Sequence, residues 1–124
     1  GVKAIAFSSF PEGQVAASKY FDEVYDYIVG NNMFAENGLY NVNIPEEVKG
    51  IRMTYQGSPY FADAFELMEG EEEIYLQVGE PVPDEYPDDM DRDTVAILHG
   101  YITVTPLLAT RTNMETFHKF KSND

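Results

Sequence analysis

The sequence contains no cysteine and no tryptophan. Without Cys there is no disulfide, no thiolate metal site and no cysteine nucleophile, which is in keeping with a reducing compartment. Basic residues are scarce. Eight Lys and Arg stand against 22 Asp and Glu over 124 residues, a net charge of −14. A surface this acidic repels nucleic-acid phosphates and anionic lipid headgroups, so neither nucleic acid nor membrane is expected as a direct partner. No apolar run approaches the length of a membrane span, and no signal-peptide pattern is visible, so a cytoplasmic protein is expected. There is no Ser-His-Asp order, no glycine-rich phosphate loop and no basic-aromatic stripe.

What is present is a chain that can fold. It is 44% hydrophobic, with 9 Tyr and 8 Phe, enough for one domain with a modest core. The opening "GVKAIAFSSF" carries a nearly unbroken apolar run through Val2, Ala4, Ile5, Ala6 and Phe7. Such a run predicts a strand buried on both faces of a parallel sheet. Parallel neighbours need long crossovers, and the run opens the sequence, so the rest of its sheet is expected upstream.

The next segments alternate in type. Ser8, Ser9, Pro11, Glu12 and Gly13 read as a loop. A helix is predicted over 15–29, with Val15, Phe21, Val24, Tyr25 and Ile28 near i, i+3, i+4 spacing and Asp22, Glu23 and Asp26 opposite. Gly30-Asn31-Asn32 supplies its stop. "GLYNVNIP" reads as a strand ended by Pro45, and "IRMTY" as another ended by Gly57-Ser58-Pro59. "FELMEGEEEIYLQV" reads as a hairpin turning at Gly70 and Glu71-Glu72. A Pro-rich acidic loop leads to a short helix in "TVAILHG", a β-branched strand in "YITVTPL", and a terminal helix over Met114–Phe120.

Candidate sites are few. Ser8 and Ser9 follow the first strand, where ligands gather beyond strand carboxyl ends in open α/β sheets; the alternative is a Ser pair in a polar loop or helix-capping groups. Asn43 ends the "NVNIP" strand; its amide either contacts a substrate or braces a neighbouring loop, and alternation puts Asn41 on the same face as part of a polar ladder. "DDMDRD" mimics a calcium loop through Asp89, Asp91 and Asp93, but Thr94 stands at the glycine place and Gly100 at the glutamate place. A solvated acidic turn is expected instead, with Asp93 capping a helix at 94–98. His99 and His118 lack metal-ligand spacing, and hydrogen-bonded or exposed imidazoles are expected. Tyr20, Tyr25 and Tyr27 read as core and interface.

Taken in order, "GVKAIAFSS", a helix, "LYNVNIP", "VKGIRMTYQG" and "GYITVTPL" resemble the C-terminal half of the SurE family of metal-dependent 5′-nucleotidases. The most specific matches are Asn41-Val42-Asn43-Ile44-Pro45, and Asp93 followed by Gly100-Tyr101 and Val104-Thr105-Pro106. The resemblance implies the C-terminal part of a three-layer, Rossmann-like α/β/α fold. Residues 1–50 would end the parallel sheet, and 51–124 would form the hairpin and oligomerisation region of the same domain. It implies an upstream half carrying adjacent aspartates near its start, a serine, a Ser-Gly-Ile-Asn segment and a Ser-Gly-Thr segment; neither of these two segments occurs in the sequence. Asp88-Asp89 is an adjacent pair but lies in the late Pro-rich loop, so the metal role is not carried over to it. The resemblance implies a nucleoside monophosphate substrate and a divalent metal, Mg or Mn, held by the missing half. No metal ligand and no catalytic residue is expected in this chain, and Ser8, Ser9 and Asn43 would border the substrate pocket. Alone, the chain is expected to be inactive. It also implies a homodimer or tetramer built by the hairpin and by swapped C-terminal elements; the spacing of Phe117 and Phe120 puts both on one helix face, where they would anchor the terminal helix in a partner's groove. The competing reading, from a different class, is a non-catalytic oligomerisation or binding module.

Overall fold

Strand β1 (Ala4–Ser9) passes through a single 3-10 turn at Pro11–Gly13 into helix α1 (Gln14–Gly30). The computed structural model describes residues 1–59, 61, 64–70, 73–109 and 111–122. Pro11 suits the first turn because its missing N–H is one that a helix start leaves unpaired anyway. The helix stops where the Asn31 side-chain amide donates to the Tyr27 carbonyl at 2.7 Å and Asn32 takes a left-handed φ of 53°. Strand β2 (Leu39–Ile44) then returns beside β1 in parallel. After it come β3 (Gly50–Met53), the short pair β4 (Phe65–Leu67) and β5 (Tyr75–Gln77), helix α2 (Asp93–Leu98), β6 (Tyr101–Pro106) and helix α3 (Met114–Phe120).

The main sheet has the order β1-β2-β6-β3. β1 and β2 are parallel, β6 runs antiparallel to β2, and β3 lies parallel to β6. Alternation divides the residues between two faces. Tyr40, Val42 and Ile44 of β2, Ile102 and Val104 of β6 and Met53 of β3 share the apolar face. Val24 and Ile28 of α1 and Phe117 of α3 cover it. The other face is polar. Ser8, Asn43, Thr103 and Arg52 stand in register across all four strands, and the hydroxyls of Thr54 and Thr105 meet at 2.8 Å. Thr103 and Thr105 are nonetheless buried, because α2 packs on β6 with Val95 and Ala96. Helices on both sheet faces make this an α/β fold.

Two expectations change. The opening run is a strand, but it is not buried on both faces: Ala4, Ala6 and Ser8 are exposed, and Ile5 and Phe7 half-buried. Among the described residues it is an edge strand with one neighbour, so its hydrophobicity exceeds what they can cover. The buried stripe of α1 is also rotated. Ala16, Tyr20, Val24, Tyr27 and Ile28 face the core, while Val15 is 82% exposed and Phe21 and Tyr25 lie outside. Two apolar faces overlap on this helix, and periodicity alone does not say which one meets the sheet. The outer one, with Phe21, Tyr25 and Val29, opens beside β1, where the Phe7 and Phe21 rings stand 4.6 Å apart.

The hairpin is as expected, a separate two-stranded sheet in which Phe65 faces Gln77 and Leu67 faces Tyr75. Its Glu71-Glu72 turn falls outside the described residues. Helix α3 matches its expected span. Asn113 caps it, its Oδ1 accepting from the Thr116 N–H at 3.1 Å while its Nδ2 donates to Asn37 Oδ1 at 2.9 Å. The helix seats Phe117 in this chain's own core rather than in a partner's groove as expected, edge-on to Tyr55 at 5.1 Å.

Phe117 is 1% exposed, so Phe117→Ala is expected to cost ~3–5 kcal/mol of folding stability in urea titration. Tyr25→Ala, at an exposed position, should cost far less. Equal losses would mean that α3 is not seated on the core as described.

Candidate functional site

The acidic loop before α2 is anchored rather than solvated, which corrects the expectation for "DDMDRD". Its backbone runs alongside the end of β3: the Tyr55 N–H donates to the Asp91 carbonyl at 2.8 Å and the Asp93 N–H to the Tyr55 carbonyl at 2.9 Å. The Tyr55 hydroxyl donates to Asp89 Oδ2, and Asp91 lies 3.6 Å from Arg52. Asp84, which the sequence reading did not single out, is the buried centre. Its carboxylate accepts from the amides of Ser58 and Tyr86, both at 2.8 Å, and from the Thr94 hydroxyl. It also pairs with Arg92 Nε at 2.6 Å. The Arg92 guanidinium sits over the rings of Tyr86 and Tyr55, at 5.0 and 5.6 Å, and donates to Ser58 Oγ.

Gly57 makes this convergence possible. A Cβ there would stand 2.1 Å from Thr94 Oγ1 and 2.6 Å from Asp84 Oδ2. Its N–H donates to Asp93 Oδ1 at 2.8 Å, and the Thr94 N–H reaches the same oxygen at 2.7 Å. Asp93 is therefore the first residue of α2 rather than its cap, tying the helix to the β3 loop. At the far end, Gly100 takes a φ of 86° and the Nδ1 of His99 lies 2.9 Å from the Val95 carbonyl.

The two carboxyls are driven apart. Burial pushes Asp93 up, and the negative charge of Asp84 adds to this, against hydrogen bonds from the Gly57 and Thr94 amides. Burial would also raise Asp84, but the Thr94 hydroxyl, the amides of Tyr86 and Ser58 and the Arg92 charge outweigh it and hold it well below the usual carboxylate range.

Beside this cluster lies a cleft of about 220 Å³ lined by Phe10, Asn43, Phe61, Asp93, Thr94 and Ile97. Asn43 comes from the carboxyl end of β2, Phe10 from just past β1, Phe61 from the segment after Pro59, and the rest from α2. Of the three residues read as a pocket border, Asn43 lines the cleft. Ser8 stands opposite Asn43 in register, one strand further out, while Ser9 turns toward the α1 side, near Gly13. The Asn43 amide has no hydrogen-bond partner among the described residues. His99 follows the end of α2 and His118 lies on α3, where it contacts the Phe117 ring at 5.1 Å. Among the described residues no group of three or more His, Cys, Asp or Glu is placed to hold a metal ion. A catalytic metal therefore finds no fitting donor set in them.

No family model matches the chain. Curated relatives do. It is 32% identical to a 5′-nucleotidase SurE of Microcystis aeruginosa over 138 residues, covering 99% of this chain and 51% of the relative. It is 28% identical to a 5′-nucleotidase SurE of Aquifex aeolicus, covering 98% and 51%. The crystal structure of the Aquifex aeolicus SurE protein superposes with a TM-score of 0.59 at 27% identity, over 96% of this chain and 50% of that one. The chain spans about half the length of the curated relatives it matches, and it matches the C-terminal half of SurE proteins.

Asp84 and Asp93 should have opposite effects on stability. Asp84 is depressed in the fold, so its contribution is present above the unfolded value near ~3.9 and is lost as pH falls through the folded one. Asp84→Asn at pH 7 leaves Arg92 without its carboxylate and should cost ~3–5 kcal/mol. Asp93 is raised, so folding favours its neutral form and that contribution is lost as pH rises through the folded value. Asp93→Asn keeps an acceptor oxygen without the charge and should not lower Tm at pH 7. Melting curves from pH 3 to 8 check both; a larger loss for Asp93→Asn than for Asp84→Asn would reverse the assignment.

Proposed function

We propose that this chain is the C-terminal portion of a metal-dependent 5′-nucleotidase, a phosphomonoesterase acting on nucleoside monophosphates in the cytoplasm. The observation that carries it is the match of nearly the whole chain to one half of proteins named 5′-nucleotidase SurE. The open edge of β1, with its uncovered apolar side chains, supports a sheet that continues into an upstream half. No helix among the described residues is long and apolar enough to cross a membrane. In this reading the upstream half holds Mg or Mn and the catalytic groups. When bound, such an ion polarises the phosphoryl group and activates water against a reaction that is very slow unaided. This chain's own residues complete the sheet, border the pocket through Asn43 and Ser8, and build the assembly.

The hairpin supports an assembly role. Register puts Phe65, Leu67 and Tyr75 on one face with Gln77; the three apolar residues are 55–65% exposed. An isolated two-stranded hairpin is marginal in water, and a second subunit would cover this face.

The function is tested by joining the N-terminal half of the Aquifex aeolicus SurE protein to Gly1. The fusion should release phosphate from nucleoside monophosphates with Mg or Mn and lose activity to chelator, while the 124-residue chain alone should not. A folded fusion with no such activity, or chelator-sensitive turnover by the chain alone, overturns the reading.

For the assembly, light scattering should find a dimer or larger species at micromolar concentration. Phe65→Ser with Tyr75→Ser should weaken association at least tenfold. An unchanged association constant would remove the hairpin from the interface.

A further inference from the structure

The cleft beside α2 is small and mixed in character. Its roughly 220 Å³ falls below the ~300–1,000 Å³ typical of sites that enclose a whole drug-sized ligand, so it suits one part of a larger molecule. Three apolar side chains, Phe10, Phe61 and Ile97, supply the walls. Three polar ones, Asn43, Asp93 and Thr94, supply the directional groups.

The polar groups differ in what they have left to offer. Thr94 spends its hydroxyl hydrogen on Asp84, and Asp93 Oδ1 already accepts two amides. The Asn43 amide, with its two N–H donors and its carbonyl acceptor, makes no hydrogen bond among the described residues. Its register partner on β6, Thr103, is fully buried, and its Oγ1 also lacks a partner there. Two adjacent polar side chains on one sheet face thus carry unmet hydrogen-bonding capacity. Thr103 is sealed beneath α2 and outside the cleft's lining, whereas Asn43 is half-buried and its amide is open to whatever enters the cleft.

Charge narrows what that occupant is. The lining includes a carboxyl and no Lys or Arg. With a net charge of −14, the chain gives a phosphate no local compensation at this cleft. A flat, uncharged heteroaromatic ring meets every requirement: aromatic walls for its faces and an amide for its edge. The cleft also lies beyond the carboxyl ends of the parallel strands β1 and β2, the position ligands take in open α/β sheets.

We infer that this cleft is a nucleobase subsite, which takes the base end of the substrate against Phe10 and Phe61 and pairs its edge with the Asn43 amide. The inference deepens the nucleotidase reading and rests on it for the substrate class. It divides the substrate between two halves of one protein: the phosphate goes to the upstream half and the base to this one. An amide offers a donor and an acceptor side by side, the pattern that reads adenine through N6 and N7.

The test uses the 15N-labelled 124-residue chain and probes that carry only one end of a nucleotide. Adenosine, guanosine, cytidine and uridine supply the base without phosphate, and ribose 5-phosphate supplies the phosphate without base. Nucleosides should shift the Asn43 side-chain amide and the Thr94 backbone amide with saturable curves, adenosine most tightly, while ribose 5-phosphate should not. Asn43→Ala should weaken the adenosine titration at least fivefold. Ile97→Phe fills the cleft from a half-buried position on α2, with Asn43 left in place, and should do the same if Asn43→Ala disturbs the fold. Saturable shifts confined to other residues, unchanged affinity in Ile97→Phe, or shifts of Asn43 by ribose 5-phosphate alone would overturn the subsite. Failure of the larger reading looks different. Nucleoside binding at Asn43 by a chain whose fusion hydrolyses no nucleotide would leave the subsite standing and remove the phosphatase.

Discussion

Strand β6 has to lie between β2 and β3 before the rest of the structure can exist. Its residues come from far along the chain, yet they separate two strands that are close neighbours in sequence. Contacts of such separation pay their loop-closure entropy before they return anything, so this pairing is also the slow step to expect in folding. Once β6 is in place, Ile102 and Val104 complete the apolar face for α1 and α3. On the other face Thr103 joins Asn43 to Arg52 and Thr105 joins Asn41 to Thr54 in two polar rows, and α2 is laid across them. The same strand therefore builds the core on one side and the floor of the candidate site on the other.

That floor depends on a second constraint, the ion pair of Asp84 and Arg92. Two charges removed from water gain little by themselves, since desolvation offsets their attraction. What they gain here is position. Asp84 gathers Ser58, Tyr86, Thr94 and Arg92 around one carboxylate, and so ties the loop after β3 to the start of α2. Gly57 permits the approach because a side chain there would collide with both Thr94 and Asp84. Loops that carry a site need this kind of support, since the groups they present are only as well placed as the backbone beneath them.

The sequence made the regular elements legible where local chemistry set them. α1, β2, β6 and α3 each have a periodic apolar face and a clear stop, and their observed spans fall close to those expected. β1 was legible as a strand but not in its exposure, because burial is a property of neighbours and the residues of a strand do not supply them. The site was legible at Asn43, through its place at a strand end. It was hidden at Asp84, which looks like one more carboxylate among many in "PDEYPDDMDRD". The available signal was Arg92, the only cation in that run. A lone guanidinium among acids is held by one of them, though which one depends on the loop's path. Phe10 and Phe61 were hidden for another reason: an aromatic in a loop shows no periodicity, and only the fold brings the two to one cleft.

The charge of the chain gives the last step. Two arginines are committed to structure, Arg92 to Asp84 and Arg52 beside Asp91. The cleft keeps a carboxyl, Asp93, in its wall, and burial favours the neutral form of that carboxyl over the charged one. An anionic ligand group placed there would meet no compensating cation and would force Asp93 further toward its protonated form. An uncharged ring imposes no such cost and gains from the apolar walls. On the proposed nucleotidase reading, a phosphomonoester approaching this acidic half would be oriented by exclusion as much as by attraction. Its dianionic end would be left to a cation outside this cleft, and its uncharged ring would be the part the apolar walls suit.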